Sequence, residues 1–110
     1  MNNKRSYKND MSTMKWTRQD IDFECDENKR QINKRKHGID MLDASSAFFD
    51  PCGLPLFDME HSEAEDRFRF VGLADSGNLL YVVYTVRNGV LRLISARKAT
   101  KTEAKKYEKQ

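Results

Sequence analysis

Apolar and polar positions along this chain change period once. Between residues 23 and 49 the apolar positions fall at helical steps, and between 54 and 97 they fall in short alternating runs. "DFEC" reads as a short extra edge strand. Asp26 is placed to cap a helix running to about Lys36, because its carboxylate accepts from the first free backbone N–H groups. Gly38 ends that helix, since a left-handed C-cap favours a residue without Cβ. Asp40 caps a second helix, "MLDASSAFF". Its Met41, Leu42, Ala44, Phe48 and Phe49 recur at three- and four-residue steps and bury one stripe. "LPLFDME", "RFRFVGLAD", "NLLYVVYTVR" and "VLRLISAR" predict four strands. Asn88-Gly89 between two apolar runs predicts a type I′ hairpin, whose two central residues need positive φ. "DSGN" joins the two strands before it. Thr100 with Glu103 three residues on has capping-box spacing and opens a C-terminal helix. The expected class is α+β: N-terminal helices, a four-stranded antiparallel sheet with an optional short edge strand, and a C-terminal helix. Residues 1–14 carry no period and are expected to form a disordered extension. Residues 15–110 form a single domain.

A two-residue hairpin loop pairs Arg87 with Val90, Tyr84 with Leu93, Val82 with Ser95, and Leu80 with Arg97. Both faces of the resulting sheet are apolar enough to need cover. Arg92 and Arg97 then fall on opposite faces unless a bulge intervenes. Arg67 and Arg69 join the Tyr84/Arg97 face if the "DSGN" loop has two residues, and join Arg92 if it has three. Arginines on central strands need a carboxylate or an outside anion, because a buried unpaired charge is costly. Glu63, Glu65 and Asp66 are the structural partners within reach in sequence.

Charge sharpens this picture. The net charge is +3, but residues 1–37 hold +4, residues 38–66 hold −8, and residues 67–110 hold +7. Two basic segments around an acidic one suit a polyanion, unless the acidic segment folds back over them. "NKRQINKRKHG" packs five cations and one of two histidines into eleven residues. Lys29, Asn33 and Lys36 lie along one helix face. They read either as a solvated face or as a phosphate or ribose contact. The longest apolar run, "NLLYVVYTV", is too short to span a bilayer. No charged-then-apolar leader opens the chain, so a cytoplasmic protein with Cys25 and Cys52 reduced is expected. No nucleotide-binding, metalloprotease or serine-hydrolase motif is present, and the cysteines and histidines are too scattered for a zinc set. What remains is Arg, Lys and His on a small α+β scaffold. That set suits cleavage of RNA through its own 2′-hydroxyl, where cations neutralise the phosphorane and a proton reaches the leaving oxygen.

Three ordered strings carry more. "FECDENKRQINKRKHGI", "DMEHSEAEDRFRFVG" and "RLISARKATKTEAKKY" together resemble the BrnT family of type II toxins, from about Phe23 to Tyr107. The Lys36-His37-Gly38 triplet and the Ile94–Arg97 string are the more specific parts. Cys25 departs from the pattern, since the family usually carries Trp before its Asp. The resemblance implies a RelE-like fold and a metal-independent endoribonuclease that inhibits translation. It needs no cofactor. It also implies a BrnA-like ribbon-helix-helix antitoxin, through which alone operator DNA would be bound. By motif position, Arg67 and Arg97 are the first catalytic candidates, followed by His61, Lys36 and His37. Lys29, Asn33, Arg69, Arg92 and Tyr84 are candidates for holding RNA. The alternative is a non-catalytic RNA- or protein-binding module of the same fold. A DNA-binding regulator is less favoured, because the chain itself has no helix-turn-helix or ribbon-helix-helix pattern.

Overall fold

The computed structural model describes residues 12–56 and 66–110. Six strands form one mixed sheet: β1 (Thr13–Arg18), β2 (Ile21–Asp26), β3 (Leu54–Leu56), β4 (Phe68–Leu73), β5 (Leu79–Arg87) and β6 (Val90–Lys98). Their order is β1-β2-β6-β5-β4-β3. The β2–β6 pair is parallel, and the other pairs are antiparallel. Among the described residues there are three α-helices: α1 (Glu27–His37), α2 (Met41–Ser46) and α3 (Lys101–Glu108). A 3-10 turn over Ala47–Phe49 finishes α2.

The class stands as α+β, but the expected four-stranded antiparallel sheet is corrected to six strands of mixed direction. The "DFEC" stretch is not an edge. It is the middle of β2, with β1 on one side and β6 on the other. Strand β1 was hidden because its hairpin lacks a glycine. Gln19 and Asp20 take φ 48° and 67°, the left-handed pair that an Asn-Gly turn usually advertises. Thr13 and Met14, expected to lie in the N-terminal extension, belong to β1. Residues 1–11 lie outside the described residues, as does the end of the "LPLFDME" string.

The helix caps follow the sequence. The Asp26 carboxylate accepts from the Lys29 N–H, the Asp40 carboxylate from the Leu42 N–H, and Gly38 closes α1 at φ 72°. The Arg30 guanidinium donates to both oxygens of Asp40, which ties the end of α1 to the start of α2. Those bonds hold the Asp40 carboxyl below its usual range. Helices α1 and α2 and the 3-10 turn cover one face of the sheet. Phe23, Met41, Ala44, Leu80, Val82, Leu93 and Ala96 form its core. Gly72 allows the turn to approach, since a Cβ there would stand 2.6 Å from the Ala47 carbonyl oxygen.

The β5–β6 register holds one irregularity that matters below. Arg87 pairs with Val90 and Tyr84 with Leu93, as expected, but Val83 pairs with Ser95. Ile94 is therefore an extra residue, a β-bulge. Val82 now faces Ala96 and Leu80 faces Lys98, in place of the expected Ser95 and Arg97. Past the bulge the side chains of β6 exchange faces.

Candidate functional site

The bulge sorts the predicted residues. Arg92 pairs with Thr85, and Arg97 pairs with Tyr81 four residues along the same strand, so both project from the face away from α1 and α2. Arg69 pairs with Val83 and joins them there. The "DSGN" connection is a five-residue loop between paired Leu73 and Leu79, with the parity of the three-residue alternative. Three of the predicted arginines thus share one face. Tyr84 does not share it. It lies on the helix-covered face, 4.9 Å from the Phe48 ring centroid and 5.5 Å from that of Phe68, and burial pushes its hydroxyl pKa up. Its expected place beside the arginines is not where the structure puts it. Arg67 is exposed just before β4. His61 lies outside the described residues, as do Glu63 and Glu65.

This second face is not bare. Val71, Val83 and Thr85 are buried on it, and the Thr85 hydroxyl donates to the Asp66 carbonyl. Charged residues flank that strip. At one end, a cleft of about 550 Å³ is lined by Lys15, Glu24, Asp26, Arg87 and Arg92, among others. At the other, a cleft of about 380 Å³ is lined by Arg69, Tyr81, Thr100, Glu103 and Lys106, among others.

Arg97 is the most firmly held group there. Nη1 and Nη2 donate to the two Glu103 oxygens, both at 2.9 Å, and Nη1 also donates to the Lys98 carbonyl. Its guanidinium carbon lies 3.9 Å from the Tyr81 ring centroid. Glu103 is itself anchored, because its carboxylate accepts from the Thr100 N–H in the capping box. Burial acts to raise the Glu103 pKa, but the hydrogen bonds from Arg97 and Thr100 outweigh it and hold the pKa down. The same bonds raise that of Arg97. Arg92 is paired through Nη1 with Glu24 at 3.0 Å. Among the described residues the carboxylates paired with these arginines come from β2 and α3, remote in sequence or hidden behind the bulge.

The helix residues gather at a third place. Lys29, Ile32, Asn33, Lys36 and His37 of α1 line a shallow cleft of about 160 Å³ with Ile94 and Ser95 of β6. Lys29 and Lys36 are exposed and make no ion pair among the described residues. Asn33 is different, being only 5% exposed. Its Nδ2 donates to the Ile39 and Ala96 carbonyls, and its Oδ1 accepts from the Ala96 N–H. Strand β2 pairs with β6 only at Phe23–Leu91 and Glu24–Arg92. Beyond that point Asn33 stands in for a neighbouring strand and satisfies the edge of β6. The Asn33 amide, expected to contact RNA, is thus committed to main-chain groups of Ile39 and Ala96. Cys25 is fully buried, and burial pushes its thiol up to about 11. Position 25 is thus a packing position, not a platform for a base. The indole in this region comes instead from Trp16 on β1, stacked 5.7 Å from Phe23 with its Nε1 donating to Ser45.

Sequence reasoning missed Ser95, Glu103, Tyr81 and Glu24 as neighbours of the predicted cations. Glu103 carried one signal, its place in the capping box. Its second role depends on the bulge, for which the sequence offers no marker.

A row of arginines on one sheet face with exposed lysines beside it is the kind of basic surface that polyanion-binding proteins present. Residues 25–103 match the family model for the ribonuclease toxin, BrnT, of type II toxin-antitoxin systems, and the chain belongs to that family. Its structure is similar to the crystal structure of the Brucella abortus ribonuclease toxin, BrnT. The TM-score is 0.54 at 26% identity, covering 70% of this chain and 94% of that one. No curated protein matches the sequence. Among the described residues no helix is long and apolar enough to cross a membrane.

Proposed function

We propose that this chain is the toxin of a type II pair and a metal-independent endoribonuclease that blocks translation by cutting RNA in the cytoplasm. The observation that carries the reading is the bulge at Ile94, which gives Arg97 the same face as Arg69 and Arg92. In this reading Arg97 and Arg67 neutralise the scissile phosphate as charge develops on it. His37 or His61 moves protons, aided by Lys36. Lys29, Arg69 and Arg92 hold the backbone, a sequence-independent contact that weakens with salt. Family membership supports a protein antitoxin as partner. We assign the BrnA-like ribbon-helix-helix type to it, with operator DNA bound through that partner, and a RelE-like kinship for the fold. Lys101 and Lys105 of α3, with Lys109 at its C-cap, are exposed and offer the antitoxin a basic stripe.

The test is purified protein on RNA with chelator present. Cleavage is expected, and Arg97→Ala should lower it by about 10²-fold or more. Intact RNA at every concentration, or cleavage only after metal is added, refutes the proposal. A second reading, a non-catalytic RNA- or protein-binding module, draws on the carboxylates already paired with Arg92 and Arg97. Under it, Arg97→Ala would weaken binding and flatten its salt dependence, with no cleavage to lose.

A further inference from the structure

The α1 cleft and the arginine face meet at one residue, Ser95. It lines the cleft with Lys29, Lys36 and His37. Through its pairing with Val83 it also lies on the face of Arg69 and Arg97. Ser95 and Arg97 are two residues apart on one side of β6, so their Cα atoms are about 6.6 Å apart. The side chain is part-buried, and among the described residues its hydroxyl has no hydrogen-bond partner. A strand position of this kind ordinarily favours a β-branched or aromatic residue. The hydroxyl is not among the buried, unpartnered side-chain atoms, so it is open to solvent and available to an outside acceptor. It lies between the α1 lysines and Arg97, and Glu103 beside Arg97 is committed to Arg97 and Thr100.

Resting on the RNA-cleavage reading above, we propose that Ser95 is a further RNA-contacting residue: its hydroxyl donates to a backbone phosphate oxygen held between the α1 lysines and Arg97. The bulge makes this possible. Without the extra Ile94, Ser95 would turn into the core and Arg97 would leave the face with it. Ser95 joins two cationic tracks that would otherwise bind separate stretches of strand. Being neutral, it adds affinity without adding a counterion to release, which separates it from the lysines in experiment.

The test uses the whole chain and a single-stranded 2′-O-methyl oligoribonucleotide, which cannot be cut through the 2′ position. Binding is followed by fluorescence anisotropy across a salt series. Ser95→Ala should bind roughly 10-fold more weakly, the scale of a lost hydrogen bond to a charged group, with the salt slope unchanged. Ser95→Asp should bind more weakly still and show a shallower slope, because it sets a charge against the phosphate. Lys36→Ala should weaken binding and lower the slope by about 0.7, the increment for one phosphate contact on a single strand. If both Ser95 variants bind like the parent while Lys36→Ala and Arg97→Ala bind weakly, the Ser95 contact is wrong and the RNA face stands. If all four variants bind like the parent, the RNA face itself is wrong, and the inference falls with it.

Discussion

Asn33→Ala tests the division between residues that build the face and residues that use it. The substitution removes three hydrogen bonds at 2.9, 2.9 and 3.1 Å and leaves the Ile39 carbonyl and both backbone groups of Ala96 without their partner. Ala96 is fully buried and Ile39 nearly so. A buried group stripped of its partner costs about 1–3 kcal/mol. Three such groups, offset in part by water entering the space of the lost amide, give an expected loss of about 3–5 kcal/mol. For a domain of this size, roughly 4 °C per kcal/mol places the fall in melting temperature above about 10 °C. Urea unfolding should show a lower midpoint at unchanged slope, because the area exposed on unfolding is nearly the same. RNA binding by the fraction that remains folded at low temperature should keep the parent's salt slope. A variant within about 1 kcal/mol of the parent in stability but impaired in RNA binding would refute the reasoning and return Asn33 to the RNA-binding set.

Two further outcomes follow from the charge network. The Asp40, Asp50 and Glu103 carboxyls all titrate below their ordinary values of 3.8, 3.8 and 4.5 in the folded protein, so the native state binds fewer protons than the unfolded chain as these groups titrate. Their contribution is fully present above the ordinary values and is lost as pH falls through the folded ones, so urea midpoints should be flat above about pH 5 and drop steeply below pH 4; a midpoint that rises on acidification contradicts the assignment. Glu103→Gln should slow cleavage roughly 10-fold while leaving KM near the parent value, as expected when a transition-state group loses its fixed position; faster cleavage would mean that Glu103 competes with RNA for Arg97.

Much of the framework was legible because its signals are local. Asp26, Gly38 and Asp40 mark helix ends through hydrogen bonds spanning two to four residues. Asn88-Gly89 marks its hairpin through backbone freedom alone. Thr100 and Glu103 mark α3 in the same way. The misses all depend on contacts between distant segments. Strand β1 turns back through Gln19-Asp20, where aspartate tolerates the left-handed region but does not announce it. The parallel pairing of β2 with β6 joins residues 68 positions apart. Asn33 sits among cations in sequence and so resembled a ligand group, yet the helix turns it inward to an unpaired strand edge. The face shared by Arg69, Arg92 and Arg97 was legible only conditionally. The alternation of β6 predicts it once a bulge is granted, and no glycine marks the bulge.

The carboxylates beside Arg92 and Arg97 look at first like an argument against catalysis, since a neutralised arginine attracts a phosphate less. Geometry argues otherwise for Arg97. Glu103 and the Lys98 carbonyl engage three of the five guanidinium hydrogens, and the Tyr81 ring supports one side. Nε–H and one Nη2–H remain for a phosphate. A flexible arginine would have to be ordered as charge develops on the phosphorane, whereas this one is ordered beforehand. The carboxylate weakens ground-state attraction and fixes the donor direction, which is the trade that favours a transition state over a bound substrate. Under the proposed function, Lys29 and Lys36, which make no ion pair among the described residues, supply the long-range attraction that Arg97 gives up. In the proposed reading the site divides the work between exposed lysines on α1 that gather the strand and a held arginine on β6 that meets the reacting phosphate. Ser95 stands where the two meet.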